Sequence, residues 1–113
     1  MQVAMARIGL IGCGMWGRNL ARNLGQLGAL TQIADQQPEK AAAFADEFGG
    51  AVSSIGAVAE TDDLDGVMIA TPAFTHAALA CRALAAGRHV YVEKPLATSL
   101  DEAKRIADFA RNT

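Results

Sequence analysis

"GLIGCGMWGRNL", residues 9–20, decides how the rest of the chain is read. An apolar, β-branched run, "ARIGLIG" (6–12), leads directly into Gly12-Cys13-Gly14-Met15-Trp16-Gly17, a GxGxxG pattern. A helical repeat follows, with Trp16, Leu20, Leu24 and Leu27 three or four residues apart and Gly28 placed to cap it. Each glycine has a task in a strand-to-helix turn that takes a pyrophosphate. Gly12 makes the tight turn, Gly14 lets the backbone approach the ligand, and Gly17 lets the helix pack close to the sheet. The helix N-terminus offers free N–H donors and a partial positive charge. Cys13 reads as a small residue at this turn. Met15 and Trp16 either line the pyrophosphate, face a second domain or serve packing.

An acid arrives at the distance that gives the pattern weight. "LTQIAD" (30–35) reads as a second strand, and Asp35 ends it 18 residues beyond Gly17. The dinucleotide fingerprint expects an acid ~20 residues on, to accept hydrogen bonds from the adenosine ribose hydroxyls. A carboxylate there repels a 2′-phosphate, so NAD is expected over NADP. The plain alternative, a tight turn and a solvated acid, leaves the coincidence of strand, loop, helix and acid unexplained.

The same alternation runs to the end of the chain. Pro38 opens a helix with Ala41, Phe44, Ala45 and Phe48 on one face, stopped by Gly49 and Gly50. "AVSS" (51–54) reads as a weak third strand, with a helical turn over 55–60. "DGVMIAT" (65–71) is the fourth strand, closed by Pro72; residues 74–86 form an alanine-rich helix ending at Gly87; "RHVYVE" (88–93) is the fifth strand. Ser99 caps a last helix, with Glu102 as capping-box partner and Leu100, Ala103, Ile106, Ala107 and Ala110 inward. Strands and helices alternating with short loops specify a Rossmann-type α/β fold, a doubly wound parallel sheet in the order 3-2-1-4-5. A full dinucleotide fold has a sixth strand, so a truncation before it is expected.

Composition narrows the function classes. The 113 residues suffice for one domain, 1–113, and the net charge of −2 with scattered basic residues gives no nucleic-acid or anionic-lipid footprint. No apolar stretch reaches the ~20 residues of a membrane helix. The start "MQVAMAR" has no signal-peptide core. Cys13 and Cys81 are far apart and offer no metal spacing, so no metal is expected and a reduced, cytoplasmic setting is the default.

In an open parallel sheet, ligands sit beyond the carboxyl ends of the strands. Two of those ends carry unusual chemistry: Thr71-Pro72, with His76 shortly after, and Glu93-Lys94-Pro95. A short-chain dehydrogenase is excluded, because Tyr91 has no lysine four residues on.

"IGLIGCGMWGRNL", "IAD", "DGVMIATP", "TH" and "GRHVYVEKPLATSLDEA", in this order and spacing, resemble the glucose–fructose oxidoreductase / inositol dehydrogenase (Gfo/Idh/MocA) family over residues 6–113. "EKP" after the fifth strand is the most distinctive element. The resemblance implies an NAD(P)-binding domain followed in such proteins by a larger substrate domain, and hydride exchange between nicotinamide and a sugar, inositol or nucleotide-sugar hydroxyl. It implies cofactor contacts from Gly12, Gly14, Met15, Trp16 and Gly17, Asp35 on the adenosine ribose, and Thr71 and Pro72 beside the nicotinamide. Glu93 is expected at the nicotinamide ribose. Lys94 is expected to reach both cofactor and the reacting oxygen, as the catalytic cation. His76 matches a position near the cofactor, with packing or helix capping as its alternative. Gln37 departs from the arginine that many members have near the adenine. The run 14–30 is closest in flavour to members acting on nucleotide-linked sugars.

The parent protein is thus expected to be an NAD(P)-dependent dehydrogenase and a homo-oligomer, and the 113-residue chain alone to be inactive, lacking the substrate domain. Two other readings stand beside it: a non-catalytic NAD-binding sensor, and a related two-domain reductase. "EKP" argues against the second, and the retained Lys94 against the first.

Overall fold

A computed structural model describes residues 6–112; the N-terminal "MQVAM", read above for a leader, and Thr113 lie outside the described residues. Five parallel strands form one sheet in the order β3-β2-β1-β4-β5. They are β1 (Ile8–Ile11), β2 (Leu30–Ala34), β3 (Ala51–Val52), β4 (Gly66–Ile69) and β5 (His89–Val92). The helices α1 (Met15–Leu27), α2 (Pro38–Phe48), α3 (Ile55–Glu60), α4 (His76–Ala85) and α5 (Leu100–Arg111) fill the crossovers and the C-terminal end. This is the expected fold and strand order.

Side chains alternate across the sheet, and the two faces bury separate cores. Leu10 and Ile33 join Ala21, Ala41 and Phe44 under α1 and α2. Ile11, Ala34, Val67 and Ile69 pack with Val58, Leu79, Leu84 and Ile106 under α3, α4 and α5. Leu10, Ile11, Ile33 and Ile69 are fully buried; each contributes ~1.5–3 kcal/mol through burial of its side chain. The covered face of α1 is Gly17, Ala21 and Leu24. Its outer residues Trp16 and Leu27, expected in the same stripe, are each 63% exposed.

Three local features differ from expectation. The helix expected at 74–86 begins as a 3-10 turn, Ala73–Thr75, before α4. Both the backbone N–H and the hydroxyl of Thr75 donate to the carbonyl of Pro72, which tightens that first turn. At α5, Ser99 Oγ accepts from the Glu102 N–H as expected, but the Glu102 carboxylate reaches one residue further back, to the N–H and hydroxyl of Thr98. Of the inward stripe expected on α5, Ile106 is buried and Ala103 half-buried, while Leu100, Ala107 and Ala110 are exposed. α5 lies over α4 at one side of the sheet, so only the middle of its stripe meets a neighbour.

Candidate functional site

The register of the sheet assembles the site. Ala34, Ile11, Ile69 and Val92 stand in one row across β2, β1, β4 and β5. One residue past that row come Asp35, Gly12, Ala70 and Glu93. Backbone bonds carry the row onward: Gly12 N–H to Ala34 O at 2.9 Å, Ala70 N–H to Ile11 O at 2.8 Å, and Glu93 N–H to Ile69 O at 3.0 Å. Residues scattered over eighty positions of sequence therefore share one rim.

A cavity of about 840 Å³ opens at this rim. Among the residues read from sequence as cofactor contacts, Gly12, Gly14, Met15, Trp16, Asp35, Thr71 and Pro72 line it. Gly12 has φ +112°, and a Cβ there would lie 2.4 Å from Ala70 O; only glycine fits. A Cβ on Gly17 would lie 2.0 Å from Gly12 O, so Gly17 supports the turn from behind and does not line the cavity. A Cβ on Gly14 would meet nothing within 4 Å. The space in front of Gly14 is thus open to a ligand.

Helix α1 starts at this loop without a capping side chain and without an acid in its first turn. Its first intrahelical donor is Arg18 N–H, to Gly14 O. The N–H groups of the first turn remain for a ligand, next to the positive end of the helix dipole.

Asp35 ties the glycine loop to β2. Oδ1 accepts from the Cys13 N–H at 2.7 Å, and Oδ2 from the Gln37 N–H at 2.8 Å. Each carboxylate oxygen has a second lone pair, so Asp35 keeps acceptor capacity toward the cavity. Burial, with the Asp35 charge adding to it, pushes the Cys13 thiol up to about 12. Cys13 is therefore an inert packing residue of the loop.

Beyond β4, Thr75 uses its hydroxyl hydrogen on Pro72 O at 2.7 Å, so the 2.6 Å contact between the Thr71 and Thr75 hydroxyls has Thr71 as donor. This fixes the Thr71-Pro72 turn at the cavity wall. The cavity also takes in Lys40 and Phe74, which sequence reasoning missed. Lys40, in the first turn of α2, gave no motif signal; Phe74 sits in the irregular turn, 73% exposed.

Glu93, Lys94 and His76 do not line this cavity. Glu93 stands on the rim, its Oε1 accepting the Tyr91 hydroxyl at 3.0 Å, and that bond together with the Glu93 charge raises the Tyr91 phenol above its ordinary range. Lys94 is exposed and precedes Pro95 through a cis peptide bond. His76 is 1% exposed, with both ring nitrogens on backbone carbonyls.

Comparison with known proteins bears on what this rim holds. The Gfo/Idh/MocA family model, described as "Oxidoreductase family, NAD-binding Rossmann fold", matches residues 6–113. A dTDP-3,4-didehydro-2,6-dideoxy-alpha-D-glucose 3-reductase of Actinomadura kijaniata is 41% identical over 109 residues, covering 93% of this chain and 33% of that protein. A 3-ketoreductase from Actinomadura kijaniata, solved with TDP-benzene and NADP, superimposes with a TM-score of 0.85 at 37% identity, over 96% of this chain and 36% of the other. A protein from gentamicin A biosynthesis, solved with NAD, gives 0.89 at 31% identity, over 97% and 32%. The chain spans about a third of the length of the curated relatives it matches.

Proposed function

Since the chain belongs to the Gfo/Idh/MocA oxidoreductase family as its NAD(P)-binding Rossmann domain, we propose that it is the cofactor-holding part of a longer dehydrogenase or reductase. That enzyme exchanges hydride between nicotinamide and a carbinol or keto carbon of a sugar, inositol or nucleotide-linked sugar. The observation that carries this reading is the open space before Gly14, flanked by the free N–H groups of α1 and by Asp35. The nucleotide-linked class is favoured by the sugar nucleotide in the name of the Actinomadura relative.

The proposed roles follow the length of a dinucleotide. Gly12, Gly14, Met15, Trp16 and Gly17 build the pyrophosphate turn, and Asp35 accepts from the adenosine ribose hydroxyls. Thr71 and Pro72 form the wall toward the nicotinamide, and Glu93 is assigned to the second ribose. A bound nicotinamide supplies the hydride donor or acceptor. The cation to steady charge on the substrate oxygen is Lys94, with the acid/base partner and most of the substrate pocket assigned to a second domain. Homo-oligomerisation of that longer enzyme belongs to the same proposal. So does a reducing compartment, in keeping with two buried free cysteines.

NAD is the proposed cofactor. A 2′-phosphate at the adenosine ribose would bring two negative charges against the Asp35 carboxylate, a repulsion that the Lys40 ammonium offsets only in part. Titration calorimetry with NAD and NADP tests this on the chain itself. NAD is expected to bind at least tenfold tighter, and Asp35→Ala to remove most of that preference. Tighter binding of NADP by the wild-type chain would overturn the assignment.

A further inference from the structure

His76 joins the two segments that flank the nicotinamide side of the site. It is the first residue of α4 and is 1% exposed, the one buried polar or charged side chain among the described residues. Its Nδ1 lies 2.7 Å from Pro95 O, in the turn that follows β5; its Nε2 lies 2.8 Å from Thr71 O, in the turn that follows β4. Carbonyl oxygens only accept and a neutral ring carries a single N–H, so the two contacts are hydrogen bonds together only in the doubly protonated ring; the link across the two turns needs only Nδ1–H donating to Pro95 O, because His76 itself follows the Thr71-Pro72 turn. Among the described residues, hydrogen bonds from the backbone of β5 to that of β4 end with Glu93 N–H on Ile69 O. Past this point the ring is the hydrogen-bonded link between the two turns. Lys94 is exposed and sits immediately before the residue whose carbonyl the ring holds.

We propose that His76 is a positioning residue: it straps the Lys94-Pro95 turn to the Thr71-Pro72 turn and so fixes where Glu93 and Lys94 meet the nicotinamide half of the cofactor. This rests on the cofactor reading above and goes beyond it, because it moves His76 from ligand contact to the frame behind the contacts. The burial of the ring leaves no face for a ligand, and each nitrogen faces a backbone carbonyl at under 3 Å. The strap acts on one half of the site only, since the glycine loop and Asp35 are held by other bonds.

Two variants separate the two contacts. In His76→Asn the side-chain amide stands where Nδ1 stood and keeps the bond to Pro95 O. In His76→Gln the amide stands where Nε2 stood and keeps only the bond to Thr71 O. Calorimetry with NAD and with ADP, which carries no nicotinamide ribose, reads the two halves. His76→Gln is expected to weaken NAD binding roughly tenfold, about one hydrogen bond's worth. ADP affinity is expected to be unchanged, and His76→Asn to restore most of the NAD affinity. Equal NAD affinity in wild type and His76→Gln, or equal loss of NAD and ADP in both variants, would overturn the strap. Failure of the wild-type chain to bind either nucleotide would instead overturn the cofactor reading. Should neither variant fold, the wild-type ring decides: a slowly exchanging Nδ1–H with Overhauser contacts to Pro95 and Leu96 is expected, and rapid exchange there overturns the strap.

Discussion

Asp35 and Cys13 show how closely a single residue at the loop is specified. The Asp35 carboxylate receives two backbone N–H groups, and the thiol beside it stays protonated because burial and that carboxylate both oppose its charge. A thiol with a value of about 12 is less than 0.1% thiolate at pH 8, where an ordinary cysteine near 8.5 is roughly a quarter ionised. Alkylation of Cys13 in the folded chain at pH 8 is therefore expected to be at least a hundredfold slower than in the denatured chain, followed by mass spectrometry. Matching rates would contradict the buried loop. At this scale the glycine loop and Asp35 were legible in the sequence because their tasks restrict residue type: a Cβ at Gly12 or Gly17 collides with backbone. Lys40 and Phe74 were not legible, since an exposed lysine or phenylalanine carries no pattern until the fold brings it to a cavity. The two carbonyl partners of His76 were hidden for the same reason, as the carbonyls belong to turns nineteen and five residues away.

α5 is the element whose stability rests most on local bonds. Its N-terminus is held by Ser99 Oγ on the Glu102 N–H and by the Glu102 carboxylate on Thr98, with Asp101 and Glu102 in the first turn and Arg111 in the last. Ser99→Ala is expected to cost ~1 kcal/mol in chemical denaturation. The hydrogen bonds from the Thr98 hydroxyl and N–H hold the Glu102 carboxyl below its ordinary range. A carboxylate depressed on folding stabilises fully above its unfolded value and loses that contribution as pH falls through the lower folded value. The stability gap between wild type and Glu102→Gln should accordingly close on acidification through the carboxylate range. A gap that persists below it would refute the assignment. Element positions were legible from period and caps: Pro38, Gly28 and Ser99 each mark an end the structure has. What periodicity could not supply is how much of a stripe gets covered. Leu100 matches the repeat of α5 and is 70% exposed, because α4 lies beneath only part of that helix.

At the scale of the molecule, the strand order was legible from the alternation of strands and helices, and it already put Gly12, Asp35, Thr71 and Glu93 at the carboxyl ends of the strands; the register that sets them along one rim came only with the structure. The division of labour along that rim was not. The glycine loop and Asp35 form the cavity, while Glu93 and Lys94 stand outside its wall, held in place through β5 and His76. The dinucleotide proposal requires that the open space before Gly14 receive a pyrophosphate. Replacing Gly14 by alanine tests it most directly, since the added Cβ meets no protein atom within 4 Å and leaves the fold in place. Calorimetry of the wild-type and Gly14→Ala chains with NAD, with melting temperatures as the control for folding, gives the decision. Binding by the wild type, weakened at least tenfold by Gly14→Ala at nearly unchanged stability, is the expected result; undiminished NAD binding by a folded Gly14→Ala chain, or none by the wild type, would contradict the account.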